Sequence, residues 1–199
     1  NKLADFSIRG QTIKIPSDFS SAAFWLVAAA VRPNQHIKLT NIGLNPRRTA
    51  LINVLKRMGA TLKLELNNKV IDPVGNIDIY GNYLKGTIIE GDEIPNLIDE
   101  LPIIAVAASL ASGETIIKDA AELRVKESDR IHEMVKNLTL YGVNVRERDD
   151  GMIIRGGGIL KTPTTSINSR GDHRIAMSLA ILNLYSNAPL MLEDIECVD

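Results

Sequence analysis

The chain has 199 residues, of which 45% are hydrophobic and 24% are charged, a composition typical of one globular domain or two small ones. Its 23 basic and 24 acidic side chains give a formal net charge of -1, which argues against a strongly basic nucleic-acid-binding domain. The single cysteine, Cys197, excludes an internal disulfide and a multi-cysteine zinc site and favours a reducing, cytoplasmic location. The longest fully apolar run, Ala22 to Val31, is too short to span a bilayer.

The first part of the chain predicts alternating strands and helices. Apolar residues at helical spacing indicate the helices, and alternating apolar and polar residues indicate half-buried strands. The predicted order is strand, helix, strand, helix, strand, strand: Thr12–Ile15, Ser20–Arg32, His36–Thr40, Arg47–Met58, Thr61–Leu66 and Ile77–Tyr80.

The same order of elements recurs in the second part of the chain: Gly86–Glu90, Asn96–Ala111, Glu114–Lys118, Ser128–Tyr141, Val143–Glu147 and Met152–Arg155. The segments Leu55–Leu62 and Leu138–Val145 align with each other, each with a glycine that ends a helix. The alternative is that α/β chains often look self-similar. We interpret the pattern as an internal repeat.

A third copy opens near Thr165, with a predicted helix at Arg174–Leu184 and a predicted strand at Leu190–Leu192. The sequence therefore predicts an α/β (α+β) fold made of repeated βαβαββ units. We expect a single domain over residues 1–199, with units at about 12–85, about 86–160 and, incompletely, about 165–199. The chain does not begin with Met, which suggests an excised piece of a longer protein.

Three aspartates directly precede apolar helices: Asp18, Asp99 and Asp172. One interpretation is helix capping, because an aspartate side chain accepts hydrogen bonds from the free N–H groups of the first turn. The other is that several helix N-termini face one place, where their N–H groups and dipoles favour anions.

The densest polar cluster lies at a strand-to-helix junction between Glu122 and Arg130. Lys126 and Arg130 would share one face if both were helical, and Glu127 lies between them. Two cations could bind a carboxylate or phosphate, and a carboxylate between them could move a proton. The alternative is a solvated helix start with local ion pairs. Arg174, at the start of a later helix, repeats the anion-binding pattern.

Five short segments, in one consistent order, resemble signatures of the 5-enolpyruvylshikimate-3-phosphate (EPSP) synthase family. The match at Leu123–Arg130 is the strongest, and Ile98–Pro102 resembles the version found in the bacterial, glyphosate-tolerant class. The remaining three are Ile15–Phe24, Gly43–Thr49 and Asp172–Met177. Trp25, in the first apolar helix, is expected in the core.

The resemblance implies an enzyme of two similar domains, each an inside-out α/β barrel of three βαβαββ units, with helix N-termini facing the cleft between them. This chain resembles one domain. The partner domain and an N-terminal segment with an active-site lysine are absent from the sequence, so the resemblance implies a fragment that is inactive alone.

The reaction that the resemblance implies is transfer of the enolpyruvyl group of phosphoenolpyruvate to the 5-hydroxyl of shikimate 3-phosphate, without metal or organic cofactor. Asp99 corresponds to the carboxylate that holds the 5-hydroxyl, and Lys126 to a lysine that touches substrate hydroxyl and phosphate oxygens. Glu127 corresponds to the proton donor and acceptor at the methylene carbon, and Arg130 and Arg174 to the contacts with phosphoenolpyruvate. Whether Asp99 or Glu127 takes the hydroxyl proton stays open.

The partners implied are therefore the two small-molecule substrates, with glyphosate as an inhibitor of the complete enzyme, a monomeric state, and neither nucleic acid nor membrane. One alternative is UDP-N-acetylglucosamine enolpyruvyl transferase, which shares fold and chemistry but relies on a reactive cysteine in its other domain. The other is a non-catalytic βαβαββ module that binds RNA or protein; the near-neutral charge and the few aromatic residues count against RNA.

Overall fold

The computed structural model describes residues 10, 12, 14–67, 72–186, 189 and 191–198. The helices of this part of the chain are α1 (Phe19–Ala30), α2 (Ala50–Met58), α3 (Leu101–Leu110), α4 (Arg130–Leu140) and α5 (His173–Asn183). The strands are β1 (His36–Gly43), β2 (Thr61–Leu66), β3 (Val74–Tyr80), β4 (Ile88–Ile89), β5 (Gly113–Ile117), β6 (Asn144–Arg148), β7 (Gly151–Gly156), β8 (Ile167–Asn168) and β9 (Leu192–Glu193). The chain is an α/β domain.

Two sheets of the same topology form the outer layers. The first has the order β1-β3-β2 and the second the order β4-β5-β7-β6. In both, the segments before and after a central helix pair in parallel. In the second sheet β4 and β5 pair on either side of α3, and in the first sheet a single bridge joins Ser17, before α1, to Ile42 of β1. All other strand pairings in the two sheets are antiparallel. The parallel pair β8 and β9 begins the same arrangement a third time.

Three helices, α1, α3 and α5, occupy the centre and pack against one another. Each follows the first strand or bridge of its sheet, and α3 is buried along nearly its whole length. The sequences of α1 and α3 are apolar on almost every face, which suits helices surrounded by other elements. By contrast, α2 and α4 are amphipathic and bury one face, with α4 lying against both α3 and α5.

Two glycines show the repeat at the level of packing. A Cβ on Gly81 would lie 2.2 Å from the carbonyl oxygen of Ala29, at the C-terminal end of α1, and 2.0 Å from that of Arg32, just beyond it. A Cβ on Gly156 would lie 2.0 Å from the carbonyl oxygen of Ala108, at the C-terminal end of α3. In both sheets, therefore, the last strand touches the end of the buried helix so closely that only glycine fits.

Two predicted elements differ most from the observed ones. In the segment Thr12–Ile15 the described residues form no strand, and the pairing is the single bridge at Ser17; Ile13 lies outside the described residues. The helix predicted at Asn96–Ala111 begins only at Leu101. Pro102 explains the difference, because proline lacks an N–H and is tolerated in the first turn of a helix but not in its interior.

The prediction that Trp25 belongs to the core is wrong, since its side chain is 56% exposed. Trp25 lines an apolar groove between α1 and α5, together with Phe24, Met177 and Leu184. Because α1 is apolar on nearly all sides, its sequence does not reveal which face is covered. Among the described helices, none combines the length and the apolar composition that crossing a bilayer requires.

Candidate active site

The N-termini of the three central helices meet at one place. Ser20, in the first turn of α1, donates a hydrogen bond of 2.5 Å to Glu100, which directly precedes α3. Glu100 lies 3.9 Å from Nη1 of Arg174, in the first turn of α5. Arg130, the first residue of α4, bonds to Asp172, which caps α5. Helix N-termini carry unpaired N–H groups and the positive ends of helix dipoles, so this arrangement favours anions.

Asp18 and Asp172 act as helix caps, as their positions indicate. The carboxylate of Asp18 accepts a hydrogen bond of 2.7 Å from the amide of Ser21, and that of Asp172 accepts one of 2.9 Å from the amide of Arg174. Burial raises the pKa of Asp18, but the hydrogen bonds from Ser21 and Ser20 outweigh it and hold that pKa below its ordinary value.

Asp99 does not cap a helix, because α3 begins two residues later and Glu100 holds the capping position without capping the first turn. The Asp99 carboxylate instead lies between two arginines. Its Oδ2 is 3.5 Å from Nη1 of Arg48, and its Oδ1 is 3.6 Å from Nη1 of Arg130. Asp99 thus belongs to the polar cluster at the helix N-termini, and its side chain remains partly open to solvent.

Arg130 and Asp172 form the buried centre of this cluster. Their side chains are 1% and 0% exposed, and Nε of Arg130 donates a hydrogen bond of 2.9 Å to Oδ2 of Asp172. Ser128 donates a further hydrogen bond of 2.9 Å to the same oxygen. Burial raises the pKa of Asp172, but the hydrogen bond and charge of Arg130 and the bond from Ser128 hold it below its ordinary value. Asp172 is therefore ionised and compensates the charge of Arg130.

The remaining edge of the Arg130 guanidinium faces Glu127 and Asp99. Nη2 donates a hydrogen bond of 2.5 Å to Glu127, whose side chain is about half exposed. Nη1 is buried and has no hydrogen-bond acceptor among the described residues, with Asp99 at 3.6 Å as an ion-pair partner. A buried guanidinium donor without an acceptor is costly, and a carboxylate or phosphate oxygen would satisfy it.

Glu100 is the most enclosed acid of the cluster after Asp172, with 2% of its surface exposed. Burial raises the pKa of its carboxyl, against the opposing influence of the Ser20 hydrogen bond and the charges of Arg174 and Arg48. The Ser20 hydroxyl that binds Glu100 also accepts a hydrogen bond of 2.7 Å from Nη2 of Arg48. Glu100 and Ser20 therefore connect α1, α3 and α5 to the turn that precedes α2.

Lys126 is the one predicted site residue outside this network. Lys126 does not share a helix face with Arg130, because Lys126 is extended and follows a short 3₁₀ turn at Ala121–Val125. Its Nζ lies 2.5 Å from Oε1 of Glu122. Since Lys126 directly precedes Glu127, it lies at the edge of the cluster, with an ammonium group already paired.

Arg124 anchors the segment that carries these groups. It donates hydrogen bonds to the carbonyl oxygens of Arg148 and Asp149, at 2.6 and 2.7 Å, in the turn between β6 and β7. It also donates one of 2.8 Å to Asp129, which caps α4. The position of Glu127 and Ser128 therefore depends on the turn of the second sheet.

Sequence reasoning did not select Ser20, Arg48 or Glu100 as site residues. Ser20 and Arg48 lie within the segments Ile15–Phe24 and Gly43–Thr49, which were noted as whole signatures. Glu100 likewise lies within the segment Ile98–Pro102, and it is a charged residue next to a long apolar run. Within the described residues, no group of three acidic, histidine or cysteine side chains is arranged to hold a metal ion.

The fold is that of the enolpyruvyl transferases. The solved EPSP synthase of Acinetobacter baumannii superimposes with a TM-score of 0.84 at 41% sequence identity, covering 92% of this chain and 43% of that chain. The enolpyruvyl transferase NikO from Streptomyces tendae superimposes with a TM-score of 0.70 at 15% identity and shows the shared fold alone.

Residues 5–199 match the family described as EPSP synthase (3-phosphoshikimate 1-carboxyvinyltransferase), and the chain belongs to this family. Two curated relatives carry the name 3-phosphoshikimate 1-carboxyvinyltransferase. A relative from Bacillus cereus is 50% identical over 187 residues, and one from Geobacillus thermodenitrificans is 49% identical over 193 residues. The alignments cover 94% and 96% of this chain but only 43% and 45% of the relatives, so the chain spans less than half of their length.

Proposed function

We propose that the complete protein containing this chain transfers the enolpyruvyl group of phosphoenolpyruvate to the 5-hydroxyl of shikimate 3-phosphate and releases phosphate. Family membership supports the reaction type, and the relatives' names support the acceptor. The observation that carries the proposal is Nη1 of Arg130, a buried donor without an acceptor in the described part of the chain, at the meeting point of four helix N-termini. The chain supplies one half of the centre, and the part that the relatives have in addition supplies the other.

Binding of phosphoenolpyruvate is assigned to Arg130 and Arg174. Each is partly compensated by a carboxylate, Asp172 or Glu100, that holds its guanidinium in place. A guanidinium fixed in this way loses little freedom when it binds a carboxylate or phosphate, which favours binding. The helix N-termini beside them add positive potential without adding a titratable group.

Glu127 is assigned the proton transfers. The 5-hydroxyl oxygen bonds to C2 of phosphoenolpyruvate and gives its proton to Asp99, while C3 of phosphoenolpyruvate takes a proton from Glu127, which gives a tetrahedral intermediate. In the second step a proton returns from C3 to Glu127, the C2–O bond to phosphate breaks, and the leaving phosphate takes the proton that Asp99 holds. Arg130, which is assigned to phosphoenolpyruvate, donates a hydrogen bond to Glu127 and so holds the Glu127 carboxyl close to that substrate.

Asp99 and Lys126 are assigned to the acceptor. Asp99 holds the 5-hydroxyl, because its partly exposed carboxylate lies beside Arg130, where the two substrates would meet. Lys126 reaches substrate oxygens once its ammonium group leaves Glu122, whose carboxylate is exposed and can be solvated by water instead. The proposal extends to a monomeric enzyme of the shikimate pathway, located in the cytoplasm, that glyphosate inhibits.

The experiment is phosphate release by the complete protein with phosphoenolpyruvate and either shikimate 3-phosphate or UDP-N-acetylglucosamine. We expect turnover with shikimate 3-phosphate and none with UDP-N-acetylglucosamine. The rate should fall at least a hundredfold in the Glu127→Gln variant. It should not fall in Glu114→Gln, because the Glu114 side chain pairs with Arg155 on the outer face of the second sheet. Because water must be excluded by both halves, this chain alone is expected to give no turnover. Turnover with the UDP-sugar only, or by this chain alone at the full rate, would overturn the proposal.

A further inference from the structure

Glu100 is a buried acid that the proposed mechanism does not use. With 2% of its surface exposed, it cannot touch a substrate in the open part of the site. Its carboxylate nevertheless contacts Ser20 at 2.5 Å and Arg174 at 3.9 Å. Because burying a carboxylate is unfavourable, a position of this kind needs compensating partners, and both partners lie in the site.

The hydrogen bonds at Ser20 have a fixed direction. A serine hydroxyl has one proton to donate and lone pairs to accept with. Arg48 can only donate to it, so the Ser20 proton must point at an acceptor oxygen of Glu100. A neutral side chain has fewer acceptor sites than a carboxylate, and if it turned a donor toward Ser20, the Ser20 proton would face the Arg48 guanidinium and oppose its hydrogen bond. The acceptor oxygens and the negative charge of Glu100 therefore favour the arrangement in which Ser20 holds Arg48.

Arg48 in turn lies against Asp99. One of its terminal nitrogens binds Ser20, and the other lies 3.5 Å from Oδ2 of Asp99. The Arg48 side chain is about half exposed, so it has no rigid packing of its own and depends on these two contacts for its orientation. A continuous chain of contacts therefore leads from Glu100 through Ser20 and Arg48 to Asp99.

We propose that Glu100 is a positioning residue, which through Ser20 holds Arg48 against Asp99 and directly holds Arg174. The inference rests on the proposed function, because Asp99 and Arg174 are the groups assigned to the acceptor hydroxyl and to phosphoenolpyruvate. It adds Glu100, Ser20 and Arg48 to the residues that determine the rate, although Glu100 touches neither substrate.

The first test compares kcat and KM of the complete protein with those of Glu100→Gln and Ser20→Ala. Misplacement of a reacting group by about 1 Å can lower a rate by about 100-fold, so we expect a loss of about 10- to 100-fold in kcat for each variant. In Glu100→Gln alone, KM for phosphoenolpyruvate should also rise, because Arg174 loses its carboxylate. The double variant should be no worse in kcat than Glu100→Gln, since both changes break the same chain of contacts.

The control is Glu133→Gln, another buried carboxylate, which lies on α4 and pairs with Lys136 and Arg170 outside the site. It should leave kcat and KM unchanged. If Glu100→Gln fails to fold, Ser20→Ala tests the same contacts. A kcat equal to that of the wild type in either folded variant would overturn the inference.

The second test is chemical rescue. Arg48→Ala should lose activity and regain part of it when guanidinium is added, because its half-exposed site admits the ion. In the Glu100→Gln background the same addition should restore less activity, since the negative charge that favours a cation beside Ser20 is gone. Equal rescue in both backgrounds would overturn the inference while the proposed function stands. A wild-type protein without turnover on these substrates would overturn the proposed function and this inference together.

Discussion

The carboxylate of Asp172 accepts a hydrogen bond of 2.9 Å from the guanidinium of Arg130, and both side chains are buried. The pair joins the first residue of α4 to the cap of α5, two helices that belong to different repeats of the fold. One contact thus holds together two helix N-termini and fixes the guanidinium assigned to substrate binding.

Removal of Asp172 should destabilise the chain strongly. Asp172→Ala removes the fully buried counter-charge of Arg130, and breaking a buried ion pair in this way typically costs about 3–5 kcal/mol. The matched control is Asp18→Ala, which removes a helix cap at the surface and should cost about 1 kcal/mol. Urea denaturation of both variants measures the two free energies of unfolding, and equal losses would show that Asp172 acts as a cap alone.

The stability of Glu100→Gln relative to the wild type should depend on pH. Burial raises the pKa of Glu100 in the folded chain, so between its ordinary and its raised pKa the folded state binds more protons than the unfolded state. The free energy of unfolding of the wild type therefore falls as pH rises through this window, whereas glutamine does not titrate. Asp172, whose pKa is lowered, acts in the opposite direction but is common to both proteins and cancels.

We therefore expect the variant to gain stability relative to the wild type as the pH rises above the ordinary pKa of a glutamate, about 4. Urea denaturation at a series of pH values measures the difference between the two free energies of unfolding. A difference that stays constant with pH would contradict a raised pKa at Glu100.

Loss of Arg124 should loosen the segment that carries Glu127, the residue to which we assign the proton transfers. In Arg124→Gln the 3₁₀ turn loses hydrogen bonds to the carbonyl oxygens of Arg148 and Asp149, so amide hydrogen exchange should speed up over residues 121–129. Arg155→Gln, which removes an exposed pair with Glu114, should leave exchange in this segment unchanged. Identical exchange in the two variants would show that Arg124 does not anchor it.

Alanine at Gly156 should destabilise the chain by at least about 1–3 kcal/mol, because its Cβ would lie 2.0 Å from a backbone oxygen at the end of α3. Gly81→Ala should have a similar effect at the end of α1. Gly158→Ala is the control, because no atom lies within 4 Å of a Cβ at that position. Thermal unfolding of the three variants measures the effect, and a Gly156 variant as stable as the Gly158 variant would contradict the close packing.

The sequence predicts the order of helices and strands well because burial on one face leaves a periodic pattern. It does not reveal which face of α1 is covered, since nearly all of its faces are apolar, and Trp25 was misplaced for this reason. The predicted start of α3 is wrong because Pro102, which marks the first turn of the helix, is also an apolar residue and fits a longer apolar helix beginning at Asn96.

The candidate site was predicted in part, for a related reason. Glu127 and Arg130 lie three positions apart and do contact each other, so local spacing was informative. The contact between Ser20 and Glu100 joins positions 80 residues apart, and no local pattern reveals such a contact. Lys126 shows the converse, because closeness in sequence did not bring its ammonium group to Arg130.

The ion pairs of Arg130 and Arg174 with Asp172 and Glu100 also bear on how the chain acquires its shape. Clustered guanidinium groups repel one another, and a pocket built from them alone would need its anions present before it could close. Here the counter-charges are encoded in the same polypeptide. The charges of Arg130 and Arg174 are therefore partly neutralised before any metabolite is present, by carboxylates of the same chain.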